Sequence, residues 1–195
     1  ASNTYQQLAQ NFPEAPGAEH AAFMAGYALA CIPPGLGERH YTASIRLLDE
    51  FEQRYPESEK ILRARLLRGI LHHRLGNQVD AISMLTEVAQ APRADTSSTL
   101  PALRTLARAY SSRGEFEAAR SKLMQAISLP ENFALDRDYE ELAALNATEA
   151  SQTADPARQA HLAAEADRYY QLALALPSIE PSRKRTIELS HAELG

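Results

Sequence analysis

The stretch Leu103-Arg104-Thr105-Leu106-Ala107-Arg108-Ala109-Tyr110-Ser111-Ser112-Arg113-Gly114-Glu115-Phe116-Glu117-Ala118-Ala119-Arg120-Ser121-Lys122-Leu123-Met124-Gln125-Ala126-Ile127-Ser128-Leu129-Pro130 decides the fold. Leu103, Leu106, Ala107 and Tyr110 stand at i, i+3, i+4 and i+7, the spacing of one face of an α-helix. Gly114 follows them, the residue that most easily takes the left-handed conformation closing a helix. Phe116, Ala119, Leu123 and Ile127 form a second stripe. That stripe stops before Pro130, whose ring and missing N–H make it a poor continuation. Two helices joined by a glycine turn are expected.

The same punctuation stands 38 residues earlier, where Gly69, Gly76, Ala81, Leu85 and Pro92 correspond to Ala107, Gly114, Ala119, Leu123 and Pro130. Another step of 38 reaches Cys31, Ala43 and Leu47, with the closing proline displaced to Pro56 and a Pro33-Pro34-Gly35-Leu36-Gly37 insert in the turn. This register predicts Cys31 as the small residue at a helix crossing. Forward from Pro130 the step to Pro177 is 47, which sets Ala119, Leu123 and Ala126 on Ala166, Tyr170 and Ala173. The extra residues then belong to a longer first helix or its turn, around Ser151 to Pro156. Tyr5 to Pro13 parallels Leu48 to Pro56, each ending in aromatic-proline.

No run alternates apolar and polar residues as a strand would, so an all-α chain is expected. Its units are a lone second helix over 1–13, hairpins over 18–56, 57–92, 98–130 and 134–177, and a polar end helix over 182–195 that covers the open end. The unpaired first helix suggests a segment cut from a longer protein.

Composition limits the function. The 195 residues are 45% hydrophobic and 23% charged, enough to pack a core and unlike a disordered tail. With 20 Lys+Arg against 25 Asp+Glu the net charge is −5, which argues against a nucleic-acid binder held by a uniformly basic surface. One cysteine, Cys31, cannot form an intrachain disulfide or a thiolate cluster. No stretch approaches the roughly 20 apolar residues of a membrane span.

Catalytic signatures fail in turn. There is no HExxH, CxxC or GxSxG, and Gly35-Leu36-Gly37 lacks the Gly-Lys-Ser of a phosphate loop. His72 and His73 point about 100° apart on a helix and cannot share one metal. Glu140-Glu141 reads as a solvated helix face. Neither a catalytic residue nor a metal or cofactor is expected, and the chain is read as a non-enzyme. The charge is uneven, however. Residues 57–128 hold eleven Lys+Arg against seven Asp+Glu, a surplus of +4, while the remainder carries −9.

The succession of small residue, aromatic, glycine, alanine, large apolar residue and proline resembles the tetratricopeptide repeat. The third unit carries it best, through Leu106-Ala107, Tyr110, Gly114, Ala119, Leu123 and Pro130, with Leu103 in place of the usual tryptophan. In the second, Gly69, Gly76 and Ala81 fit, while His72 replaces an aromatic. The resemblance implies a right-handed superhelix of antiparallel hairpins whose first helices line a concave groove. Carried over residue by residue, it points into that groove Arg63, Leu66, Ile70, His73 and Arg74 from the second unit, and Pro101, Arg104, Arg108, Ser111 and Ser112 from the third.

Arginines beside Leu66 and Ile70 would hold an acidic protein or peptide by forked, charge-assisted hydrogen bonds. The family's clamp for chaperone tails needs Lys and Asn where Leu66, Ile70, Arg104 and Arg108 stand, which disfavours that partner. Asn11-Phe12-Pro13 and Arg54-Tyr55-Pro56 resemble the ends of bacterial envelope repeat proteins and tilt localisation towards the periplasm. Two alternatives stand beside the scaffold. One is a homo-oligomer paired through Tyr5 to Phe12 and the end helix; the other is a regulatory module of an enzyme whose chemistry lies outside these residues.

Overall fold

The computed structural model describes residues 1–33, 38–92, 94–177 and 179–192. Residues 34–37 of the turn insert and 193–195 of the expected end helix lie outside them. Among the described residues every regular element is helical: α1 (Ser2–Asn11), α2 (Ala18–Ala30), α3 (Glu38–Arg54), α4 (Ile61–Arg74), α5 (Gln78–Gln90), α6 (Thr96–Ser111), α7 (Phe116–Ile127), α8 (Leu135–Gln152), α9 (Pro156–Leu174) and α10 (Pro181–Ala192). The chain divides into two compact units, Ala1–Thr105 and Leu106–Gly195, with the boundary inside α6.

The 38-residue spacing is a repeat of hydrogen bonds. In the first unit Gly76 has φ 80°, and after α4 its N–H donates to the His73 carbonyl at 3.0 Å while that of Asn77 donates to His72 at 2.9 Å. In the second unit Gly114 has φ 75°, with its N–H on the Ser111 carbonyl at 2.9 Å and that of Glu115 on Tyr110 at 3.0 Å. The pairs have identical offsets, the double bond of a Schellman closure, which asks for a residue without a Cβ at the left-handed position.

Within the first unit α2 packs on α3 and α4 on α5. Each contact is set by a glycine facing a leucine. A Cβ on Gly69 would lie 2.7 Å from Leu85 Cγ, and one on Gly26 would lie 2.6 Å from Leu48 Cγ. Leu48 and Leu85 are fully buried as a result. Burial of a leucine is worth about 1.5–3 kcal/mol, so any side chain at the crossing forfeits part of that.

These contacts correct the register of the first hairpin. Cys31 is exposed beyond the end of α2 and is not a crossing residue. The crossing is Gly26, and the second-helix positions are Ser44 and Leu48 rather than Ala43 and Leu47. Ser44 occupies the place of Ala81 because its hydroxyl, buried at the contact, donates to the Gly26 carbonyl at 2.8 Å. Phe23, Phe51 and Tyr55 complete this core, with the Phe23 and Phe51 rings edge-on at 5.6 Å. The first helix, α1, packs on α2: Ala9 is buried, and the Ser2 hydroxyl donates to the Ala25 carbonyl at 2.8 Å.

In the second unit α8 packs against both α7 and α9. Ala107, Ala119, Leu123, Leu142 and Leu145 form one core cluster; Ala143, Ala166, Tyr170, Ala173 and Ile187 form another. Burial of Ala166, Tyr170 and Ala173 agrees with the 47-residue step. The extra residues lengthen α8 and its turn, after which Asp155 Oδ1 accepts the Ala157 N–H at 3.0 Å and Pro156 opens α9. The end helix α10 buries Ile187, and its Arg183 donates to Asp136 and Glu140 of α8.

Candidate functional site

Helix α4 carries four arginines, and its periodicity sorts them. Arg65 and Arg68 face α3. Arg65 Nε donates to Glu52 Oε1 at 2.6 Å, and Arg68 reaches Glu52 Oε2 at 2.8 Å and Asp49 Oδ1 at 2.9 Å. The bond to Glu52 raises the Arg65 pKa above its ordinary value against the opposing effect of partial burial. These two arginines fasten one helix to the next. Arg63 and Arg74, eleven residues apart, lie along another face with Leu66 and Ile70 between them.

That face is one wall of a cleft of about 580 Å³ within the first unit. Helix α2 and its end supply Tyr27, Ala30 and Cys31; the first turns of α6 supply Ser97, Ser98 and Pro101. The guanidinium carbon of Arg63 is 5.4 Å from the centroid of the Tyr27 ring, and that of Arg74 is 5.4 Å from Tyr41. Arg74 also donates to the Ala30 carbonyl at 3.4 Å, and the Tyr41 hydroxyl donates to the Ile32 carbonyl at 3.1 Å. Neither arginine forms an ion pair among the described residues. A ring holds a cation at a gain of about 0.5–1 kcal/mol without cancelling its charge, so both remain positive and exposed.

The α6 edge is polar and carries one acid. Asp95 accepts the Ser98 N–H at 2.9 Å and the Ser97 hydroxyl at 2.9 Å. Those bonds, from Ser98 first and then Ser97, hold its carboxyl below the ordinary range. Asp95 is thereby occupied as the cap of α6.

The remaining groove residues fall elsewhere. His73 Nδ1 is 2.9 Å from Gln78 Oε1, joining the end of α4 to the start of α5. Arg104, half-buried on α6, already has an interaction partner. Arg108 and Ser111 line a pocket of about 310 Å³ in the second unit, where Arg108 is paired with Glu141. Of the ten expected residues, Arg63, Leu66, Ile70, Arg74 and Pro101 thus come together in the first-unit cleft, and Arg108, Ser111 and Ser112 in the second-unit pocket.

Sequence reasoning missed Tyr27, Tyr41, Cys31, Ser97 and Ser98. The signal for two of them was present. With Gly26 rather than Cys31 as the crossing residue, the positions one, four and five residues on are Tyr27, Ala30 and Cys31, the three that line the cleft. From Gly69 the same offsets are Ile70, His73 and Arg74.

Among the described residues no group of three or more His, Cys, Asp or Glu side chains could hold a metal ion, and no helix is long and apolar enough to cross a membrane. The cleft presents two guanidinium groups toward its ends and an apolar middle. No protein-family model matches the chain, and no curated protein matches it either.

Proposed function

We propose that the chain is a non-catalytic protein-interaction scaffold of tetratricopeptide-like hairpins that holds an acidic segment of a partner protein in the cleft of the first unit. One observation supports the reading above the others: Arg63 and Arg74 are held on tyrosine rings rather than on carboxylates, while the neighbouring Arg65 and Arg68 are neutralised. An arginine paired within its own chain must break that pair before it binds a ligand. One resting on a ring keeps its outward N–H donors for the incoming carboxylate, and a hydrogen bond to a charged group is worth about 1.5–3 kcal/mol.

The reading is tested on an array of acidic peptides probed with the full chain. Arg63→Glu/Arg74→Glu is expected to lose the captured peptides while keeping the helical circular dichroism of the parent. Equal capture by the folded double variant would refute it.

A further inference from the structure

The spacing along α4 specifies more than a negative charge. Arg63, Leu66, Ile70 and Arg74 run down one face, with the arginine Cα atoms about 16 Å apart at 1.5 Å per residue. Leu66 and Ile70 lie about 6 Å apart on the same count, close to the roughly 6.7 Å separating alternate residues of an extended chain. An extended segment laid along α4 therefore presents alternate side chains to this face at nearly the spacing of Leu66 and Ile70. Acids one step further out at each end come within reach of Arg63 and Arg74, whose long side chains take up the small mismatch. A helical ligand is at least about 10 Å across with its side chains, whereas an extended one is a single strand whose alternate side chains all reach one face.

We propose that the cleft selects an extended peptide of the pattern acid, any, apolar, any, apolar, any, acid, with the outer acids on Arg63 and Arg74 and the apolar pair over the surface made by Leu66, Leu67 and Ile70. The proposal rests on the reading of the cleft as an acidic-peptide site. It requires no free peptide terminus, because the two charges contacted are side chains. The middle of the cleft supplies the apolar contact: Leu66, Leu67 and Ile70 all line it, Leu66 as a buried floor and the half-buried Leu67 and Ile70 with the accessible surface.

The chain contains its own reporter. Cys31 is the single cysteine, is exposed and lines the cleft, so a ligand seated there slows its alkylation. The test uses a nine-residue peptide blocked at both ends, with glutamates second and eighth, leucines fourth and sixth, and serines elsewhere. A control of equal composition moves the glutamates to the third and seventh positions, onto the face opposite the leucines. The first peptide is expected to bind at least about tenfold tighter than the control, the effect of one lost charge-assisted contact, and to protect Cys31 from iodoacetamide.

Arg74→Gln, and replacement of one peptide glutamate by glutamine, should each weaken binding by about tenfold, and their combination should not multiply the two losses, as partners in one contact behave. Equal binding of the two peptides, with Cys31 protected by both, overturns the pattern while leaving an acidic-peptide cleft. Absence of both binding and protection overturns the pattern and the reading together.

Discussion

The two units differ in how they hold the arginines that line their clefts. In the first, Arg63 and Arg74 lie on the rings of Tyr27 and Tyr41 and stay charged at the surface. In the second, Arg108 is paired with Glu141, Arg120 with Glu117 and Glu149, and Arg183 with Asp136 and Glu140. The surplus of +4 over residues 57–128 therefore overstates the positive charge available there, since the second unit's share is met by carboxylates from α8 beyond residue 128. Available charge depends on what each cation rests on, and a count of residues cannot reveal that.

The largest expected effect is in the second unit. Glu149, nearly buried, accepts from Arg120 at 2.7 Å and also pairs with Arg158, holding α7 and α9 to α8. Glu149→Ala takes the buried carboxylate from Arg120, which keeps Asn146 Oδ1 at 2.7 Å and the exposed Glu117, and is expected to cost about 3 kcal/mol, the low end for breaking a buried pair because Arg120 keeps those bonds and some exposure. Urea unfolding measures it, and a loss under about 1 kcal/mol would place the pair among ordinary surface ion pairs. Next in size are the crossings. Gly69→Val in the first unit and Ala119→Leu in the second should each cost about 1–3 kcal/mol by overpacking, with a corresponding fall in melting temperature.

Acid should separate the units. Burial lowers the His72 pKa from 6.5, against Asp80, which favours protonation. The unfolded chain then takes up the proton first, so this contribution is whole above pH 6.5 and declines as the pH falls from there through the folded value. Burial raises the Glu149 pKa, but the bonds from Arg158 and Arg120 outweigh it and the net shift is downward from 4.5. Its contribution is present above that pH and is lost as the pH falls through the lowered folded value. Hydrogen exchange followed against pH should show protection declining first around α4 and only in stronger acid around α8. The reverse order would contradict both assignments. The smallest expected effect is that of Arg63→Gln or Arg74→Gln on stability, within about 1 kcal/mol, because an exposed cation over a ring contributes little to folding.

Much of the fold is legible in the sequence, because its determinants are local. Gly76 and Gly114 mark the turns with a conformation other residues adopt with difficulty, and Ala81, Leu85, Ala119 and Leu123 keep the contact register around them. The first hairpin departs from that register for a physical reason. Residues added to its turn separate Gly26 from Leu48 by 22 positions where Gly69 and Leu85 are separated by 16, and a fixed step of 38 therefore lands on Cys31, which is also small.

Arg63, Leu66, Ile70 and Arg74 are legible as one face because they share a helix. The pairing of Arg108 with Glu141, and the support of Arg74 by Tyr41, join residues 33 apart in each case, and helical periodicity carries no information at that range.

The central claim is that an acidic partner segment is taken by the first unit's cleft. Titration calorimetry of the alternating peptide against the parent chain, Arg63→Glu/Arg74→Glu and Arg108→Glu tests it most directly. The account predicts loss of binding in the first variant and an affinity within about twofold of the parent in the second. Retained binding in Arg63→Glu/Arg74→Glu together with its loss in Arg108→Glu would contradict the account and move the site to the second unit.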